Sequence, residues 1–335
     1  MMELLRVRFT IIFCIASVLI EKCTFVFASL PYEFSCHRGG QRGKEDMKGD
    51  AFCEHKHPSN CPYIPRRYWC GKEYTSKIMI KIKTEYPNSN IFSNTYKQEW
   101  MDMLDKSGGI LFVGDSVHSH TAFSLMCTLR DDLERKKLAF TQLFPYMKKV
   151  GHHFGRISRK YFCVRTIKKK ERAICYDRTN TASTILDNYA HYKRLFAEFG
   201  TVVMNFGLHN KELRMGLIQE LLERLSGDLL TGKSAIIWRE SAPQHFKNPG
   251  GVYSPDALGE NCVDISHDSI EKSNLFNLKY NPICQKYKVP VLKIWNITRS
   301  FFNAHVQGEC THYCQPGVSE LWVGSLLMLM KTLNS

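Results

Sequence analysis

"ILFVGDSVHSHTAFSLMC", residues 110–127, decides how this chain is read. A short apolar run meets Gly-Asp-Ser, and the chain then continues with no helix breaker. An apolar run of this length, closed by a glycine, reads as a buried strand, and the stretch after it reads as a helix to about Arg130. Ser116 therefore stands where a strand ends and a helix begins. Backbone N–H groups and the helix dipole converge at such a place. Two readings are open: a nucleophile, or a serine capping the helix. A hydroxyl becomes a useful nucleophile only when a base takes its proton and a third group holds that base's tautomer. The rest of the sequence has to supply both.

Outward from this stretch the texture repeats. "GTVVMNFG" (200–207), "SAIIWRES" (234–241) and "VPVLKIW" (289–295) read as further strands. A helix is expected from Lys211 to about Leu225, and "GVSELWVGSLLMLMKTL" (317–333) reads as an amphipathic helix at the end of the chain. Strands alternating with helices predict an α/β fold, a parallel sheet with helices on both faces. In such sheets ligands gather at the carboxyl ends of the strands. Ser116, Asn205, Arg239 and Trp295 all fall at or just after such ends.

The bulk properties frame the compartment. Of 335 residues, 44% are hydrophobic and 23% charged, which describes a globular chain with ample core. The net charge of +14 favours anionic partners, although the short basic groups at 134–137, 147–149 and 168–172 read as solvated surface. "MMELLRVR" is followed by twelve apolar or small residues, "FTIIFCIASVLI", which end at Glu21 and Lys22. A helix of that length spans roughly 18 Å against a hydrocarbon core of about 30 Å, so residues 1–30 are expected to be a signal peptide or signal anchor. The remainder would then face the secretory lumen, in the Golgi or beyond it. Any contact with a membrane would be through this segment alone.

Cysteine usage agrees. Eleven cysteines lie beyond the leader: Cys36, Cys53, Cys61, Cys70, Cys127, Cys163, Cys175, Cys262, Cys284, Cys310 and Cys314. In an oxidising compartment they are disulfide candidates, and their odd number leaves at least one unpaired. Residues 31–105 are expected to form a Cys-rich segment packed on a catalytic domain at 106–335. The spacing contains no Cys-x-x-Cys pair, and nothing completes the Gly-His-His at 151–153, so no metal site is expected. Asn296-Ile297-Thr298 is a glycosylation sequon. A leader and many cysteines argue against nucleic acid as the partner of the basic charge.

Among thirteen histidines His312 has a distinctive setting, "GECTHYCQPG" (308–317). Glu309 precedes it by three residues, within reach of the ring from the same turn, and Cys310 and Cys314 frame both. Two disulfides there would make the turn rigid, as a general base requires. A stapled loop with an exposed histidine and a Cys-x-His-x-Cys metal site are the competing readings.

At these residues the chain resembles the plant trichome-birefringence-like proteins and the wider PC-esterase group of the SGNH (GDSL-like) superfamily. The resemblance is carried by "GDS" (114–116), "NFG" (205–207), "WRESAPQHF" (238–246) and "ECTHYCQPG" (309–317), in that order. It implies an SGNH-like three-layer α/β/α fold and a serine–histidine–acid triad that moves acetyl groups to or from polysaccharide hydroxyls. By position, Ser116 is the nucleophile, His312 the base, and Glu309 stands in the place of the family aspartate. Asn205 and Gly207 would stabilise the oxyanion, while Asp115, His120, His209 and Arg239 would line or brace the site. Ser119 and His120 stand where the plant pattern has Arg-Asn, at positions suited to reading the acceptor. No bound cofactor is implied; acetyl-CoA or an acetyl ester would be co-substrate, and a polysaccharide or glycan the acceptor. The alternative is a catalytically weak glycan-binding or assembly protein that keeps the fold.

Overall fold

The computed structural model describes residues 61–134, 161–167, 173–207, 215–228, 234–248, 251–254, 261–265 and 270–335. The leader, Cys36, Cys53, residues 151–153 and His209 lie outside the described residues. In chain order the elements are α1 (Lys72–Glu85), α2 (Tyr96–Ser107), β1 (Ile110–Gly114), α3 (His118–Thr128), β2 (Tyr161–Arg165) and β3 (Ala173–Arg178). There follow α4 (Ala182–Asp187), α5 (Tyr189–Ala197), β4 (Thr201–Asn205), α6 (Met215–Asp228) and β5 (Ala235–Arg239). Next come α7 (Ile270–Ser273), α8 (Leu275–Lys286), β6 (Val291–Leu292), α9 (Trp295–Thr298) and α10 (Val318–Leu333).

The strands join in one sheet of order β2-β3-β1-β4-β5-β6, parallel throughout except where β2 pairs antiparallel with β3 at one edge. Strands β1, β4, β5 and β6 are those expected from the sequence. The β2–β3 hairpin is new, and it seats β3 beside β1. Without β2, the chain order across the sheet reverses between β1 and β4, and such a switch point opens a crevice at the carboxyl ends of the strands. Ser116 follows β1 at that point.

The strands are buried on both faces, so their apolar runs hide two alternating sets. Ile110, Phe112, Ile174, Tyr176, Val203 and Ile237 face one core with α1, α2, α3 and α10. Leu111, Val113, Cys175, Val202, Met204 and Trp238 face the other with α4, α5, α6 and α8. This is a three-layer α/β/α arrangement. The Cys-rich segment from Cys61 onward belongs to the first core, where Tyr63, Tyr68 and Trp69 are buried.

Four disulfides lie among the described residues: Cys61–Cys127, Cys70–Cys314, Cys163–Cys175 and Cys262–Cys310. Cys163 and Cys175 sit opposite each other across the β2–β3 hairpin. Cys284, a disulfide candidate by sequence, is a free thiol. It lies in the α8 face of the second core, where burial pushes its pKa up to about 12 and leaves it unreactive. Among the described residues no helix is long and apolar enough to cross a membrane.

Candidate active site

The turn after β1 settles which residue caps α3. Asp115 Oδ1 accepts the N–H groups of Val117 and His118, each at 2.9 Å. Asp115 is fully buried. A carboxylate at a helix start satisfies orphan donors and meets the positive end of the dipole. Oδ1 is thus committed to the helix start and the carboxylate is buried below the site, which corrects the sequence-based assignment of Asp115 as a substrate ligand. Capping by Asp115 frees Ser116. Its backbone N–H has no hydrogen-bond partner among the described residues. Gly114 is required by space: a Cβ there would stand 2.4 Å from the Asn205 carbonyl oxygen and 2.9 Å from His118.

The hydroxyl of Ser116 meets the one histidine singled out by its setting. His312 Nε2 lies 2.7 Å from Ser116 Oγ, and His312 Nδ1 lies 2.7 and 2.8 Å from the two carboxylate oxygens of Glu309. The Glu309 carboxylate also accepts the backbone N–H of His312. With Nδ1–H donating to the carboxylate, Nε2 is left as the acceptor for the serine proton. Glutamate is one methylene longer than aspartate, and here the extra reach is absorbed within a single turn.

That turn has no helix or strand of its own. His305 and Tyr313 form an antiparallel bridge, and Val306 N–H donates to the His312 carbonyl at 2.9 Å. Glu309 N–H donates back to Val306, with Gly308 at φ 81°, a left-handed conformation that suits glycine. Cys310 ties the turn to Cys262, and Cys314 ties it to Cys70. Gln315 donates to the His120 carbonyl at 3.0 Å, joining the turn to α3. Beneath it, His305 Nδ1 lies 3.1 Å from the His312 carbonyl and His305 Nε2 lies 2.6 Å from His245 Nδ1. Burial pushes both of these histidines down in pKa, His245 to about 4. His245 therefore braces the turn and takes no direct part in a site.

The remaining candidates divide. Asn205 ends β4, and its amide donates to the Arg239 carbonyl at 2.8 Å and to Ser241 Oγ at 3.1 Å. Both amide hydrogens are spent on holding β4 to β5, so this side chain is not the oxyanion donor that the sequence suggested. Gly207 packs against the same serine; a Cβ would fall 1.8 Å from Ser241 Oγ. Arg239 is wholly buried, its guanidinium 4.5 Å from the Trp322 ring centroid. Burial lowers its pKa to about 10, partly offset by Asp115 nearby. It supports the site from below and cannot touch a substrate, correcting its assignment as a ligand. Asn296 is exposed, while Thr298 of the same sequon is buried, accepting from Trp322 at 2.8 Å.

His120 is brought close to His312. Their rings stack at 5.5 Å, and Tyr68 stacks on His312 at 5.2 Å and meets His120 at 4.3 Å. His120 is fully buried, and neither ring nitrogen has a partner. Burial, and then the neighbouring His312, Arg239 and Arg67, hold its pKa well below the usual histidine value. Tyr68 was missed by the sequence reading. It sits between Pro65 and Cys70, in a stretch without periodicity, and is carried to the site by the Cys70–Cys314 link and by the Gln315 N–H, which donates to the Tyr68 carbonyl at 2.8 Å.

No family model matches this chain, and no curated protein matches it. Solved structures do. An acetylxylan esterase from Geobacillus stearothermophilus matches at 10% identity and TM-score 0.38, over 67% of this chain and 94% of its own. A putative GDSL-like lipase from Parabacteroides merdae matches at 11% identity and TM-score 0.39, over 67% and 95%. A peptidoglycan O-acetylesterase matches at 10% identity and TM-score 0.39, over 73% and 97%. Likeness at this level says nothing of what this chain acts on. Its chemistry has to be read from its own residues.

Proposed function

We propose that this chain is a serine-dependent O-acyl esterase or transferase, acting chiefly on O-acetyl groups of a polysaccharide or other glycan. The observation that carries the reading is one imidazole bridging a serine hydroxyl at 2.7 Å and a carboxylate at 2.7 and 2.8 Å. In the proposed reaction His312 Nε2 takes the Ser116 proton as Oγ attacks the acyl carbonyl. Glu309 accepts Nδ1–H and stabilises the imidazolium that forms. Backbone N–H groups at Ser116 and Gly207 would hold the oxyanion, a contribution of about 2.7–4 kcal/mol per donor. His312 then returns its proton to the leaving group, the alcohol oxygen of an ester donor or the thiolate sulfur of acetyl-CoA, which leaves an acyl ester on Ser116. Water or a sugar hydroxyl, deprotonated by His312, resolves that ester. Water makes the chain an esterase; a sugar hydroxyl makes it a transferase with acetyl-CoA or an acetyl ester as donor.

The four disulfides support a lumenal setting, in the Golgi or outside the cell, since such cross-links persist in oxidising compartments. Residues 1–30 would deliver the chain there, and exposed Asn296 would carry a glycan.

The test is incubation of the purified chain with acetylated glycan or acetyl-CoA, followed by intact mass and product analysis. An adduct of one acetyl group on the wild type, absent from Ser116→Ala, is expected. Glycan binding with neither adduct nor turnover would overturn the proposal and leave a binding protein.

A further inference from the structure

Two arginines beside Ser116 and His312 carry charge that no acid answers. Arg67 is exposed; its guanidinium lies 4.7 Å from the Tyr68 ring centroid, and its Nη2 donates to the Tyr68 hydroxyl at 2.7 Å. Tyr68 in turn stacks on His312. Arg178 comes from the sheet. It ends β3 as the Cα partner of Gly114, two residues before Ser116. Side chains alternate along a strand, so Arg178 shares its face with Tyr176, whose hydroxyl donates to the Asp115 carbonyl at 2.7 Å. The field of Arg178 reaches both Tyr68 and Tyr176.

Neither arginine makes an ion pair among the described residues, and Arg178 Nε is buried without a hydrogen-bond partner. Arg224 elsewhere pairs with Glu220 at 2.7 Å, and the buried Arg239 lies over the Trp322 ring. The nearby acids do not pair with either arginine. Glu309 is held by His312, Asp115 caps α3, and Asp177 faces the opposite side of the sheet, where Thr179 donates to it at 2.9 Å. A second feature of the same corner is His120, fully buried against Tyr68 and His312 with both ring nitrogens unpartnered. Unanswered guanidinium groups beside a hydroxyl nucleophile suit an anionic ligand. Their planar donor forks match the geometry of carboxylate and sulfate oxygens.

We infer that Arg67 and Arg178 form an anion-recognising rim, so that the glycan handled here carries an acidic group, carboxylate or sulfate, on or next to the acylated sugar. This inference rests on the acyl-transfer reading of Ser116. The chain's net charge of +14 would add long-range attraction for such a polymer.

The experiment compares kcat/KM for three acetylated oligosaccharides, one bearing carboxylates, one bearing sulfates and one neutral. A preference of about tenfold or more for an acidic one is expected, falling as salt is raised. Which acidic substrate wins identifies the group. Arg67→Gln and Arg178→Gln should each cut the acidic-to-neutral ratio about tenfold, the range for a charge-assisted hydrogen bond, mainly through KM. Arg178→Lys should recover part of it. Equal kcat/KM on all three substrates, or an unaltered ratio in both glutamine variants, overturns the inference. A small neutral acetyl ester separates the two claims, because its turnover reports Ser116 chemistry without the rim. If that ester is not turned over, binding of unacetylated acidic and neutral oligosaccharides to the wild type decides the rim alone. Tighter acidic binding lost in Arg178→Gln sustains it, and equal binding refutes it.

Discussion

The two turns that bring Ser116 and His312 together are built by opposite means. The serine turn, between β1 and α3, is held by its immediate neighbours: a buried strand, Asp115 capping the helix, and a glycine that lets the Asn205 carbonyl approach. The histidine turn has no regular element. It is held by residues far away in the chain, through Cys262, Cys70 and the His245–His305 pair. The Cys70–Cys314 link spans 244 residues. One turn is therefore specified locally, and the other is assembled only when the whole chain has folded and oxidised.

The sharpest way to break this comparison is to remove the chemistry while leaving both turns in place. Ser116→Ala or His312→Ala should reduce acetyl-ester turnover by about 10³-fold or more, with the melting temperature nearly unchanged. Glu309→Gln should cost about 10²–10⁴-fold in kcat, because the imidazole loses both its tautomer and its charge partner. Glu309→Asp tests whether the longer acid is fitted to this turn, and a smaller but clear loss is expected.

Disulfide removal should separate the turns. Cys70→Ser with Cys314→Ser should cost about 2–4 kcal/mol of stability by denaturant titration. At temperatures where the variant is still folded, kcat should fall as well, because the histidine turn loses an anchor. Asp115→Ala attacks the other turn and should cost about 1–2 kcal/mol through the lost cap.

The most gradual effect is on pH. His118 and His120 are buried with pKa values held well below the ordinary histidine value, first by burial and then by neighbouring positive charge. The unfolded chain takes up protons at these positions below about pH 6.5 and the folded chain does not. Their effect is therefore absent above that pH, and stability falls as pH drops below it, by about 1.4 kcal/mol per pH unit per group. Thermal melts from pH 7 to pH 5 should show this fall, and His120→Gln should make it shallower.

The same contrast explains what the sequence revealed. "ILFVGDS" announced a strand, a turn and a hydroxyl because each is a local pattern. Glu309 and His312 were legible together because acid and base share one turn. Which of Asp115 and Ser116 caps the helix was not legible, since both residue types cap well and only hydrogen bonds decide between them. Cysteine pairing cannot be deduced from spacing, so Tyr68, carried to the site by Cys70–Cys314, was invisible. The β2–β3 hairpin was missed because its strands are short and a charge run, "KKKER" (168–172), lies between them.

The most direct test of the account is labelling of the wild-type chain with a serine-directed fluorophosphonate, followed by peptide mapping. The prediction is one adduct on Ser116, formed far more slowly in His312→Ala although that variant is folded by circular dichroism. Absence of label at Ser116 in the folded wild type, or labelling at the same rate without His312, would contradict the claim that these two residues work as nucleophile and base.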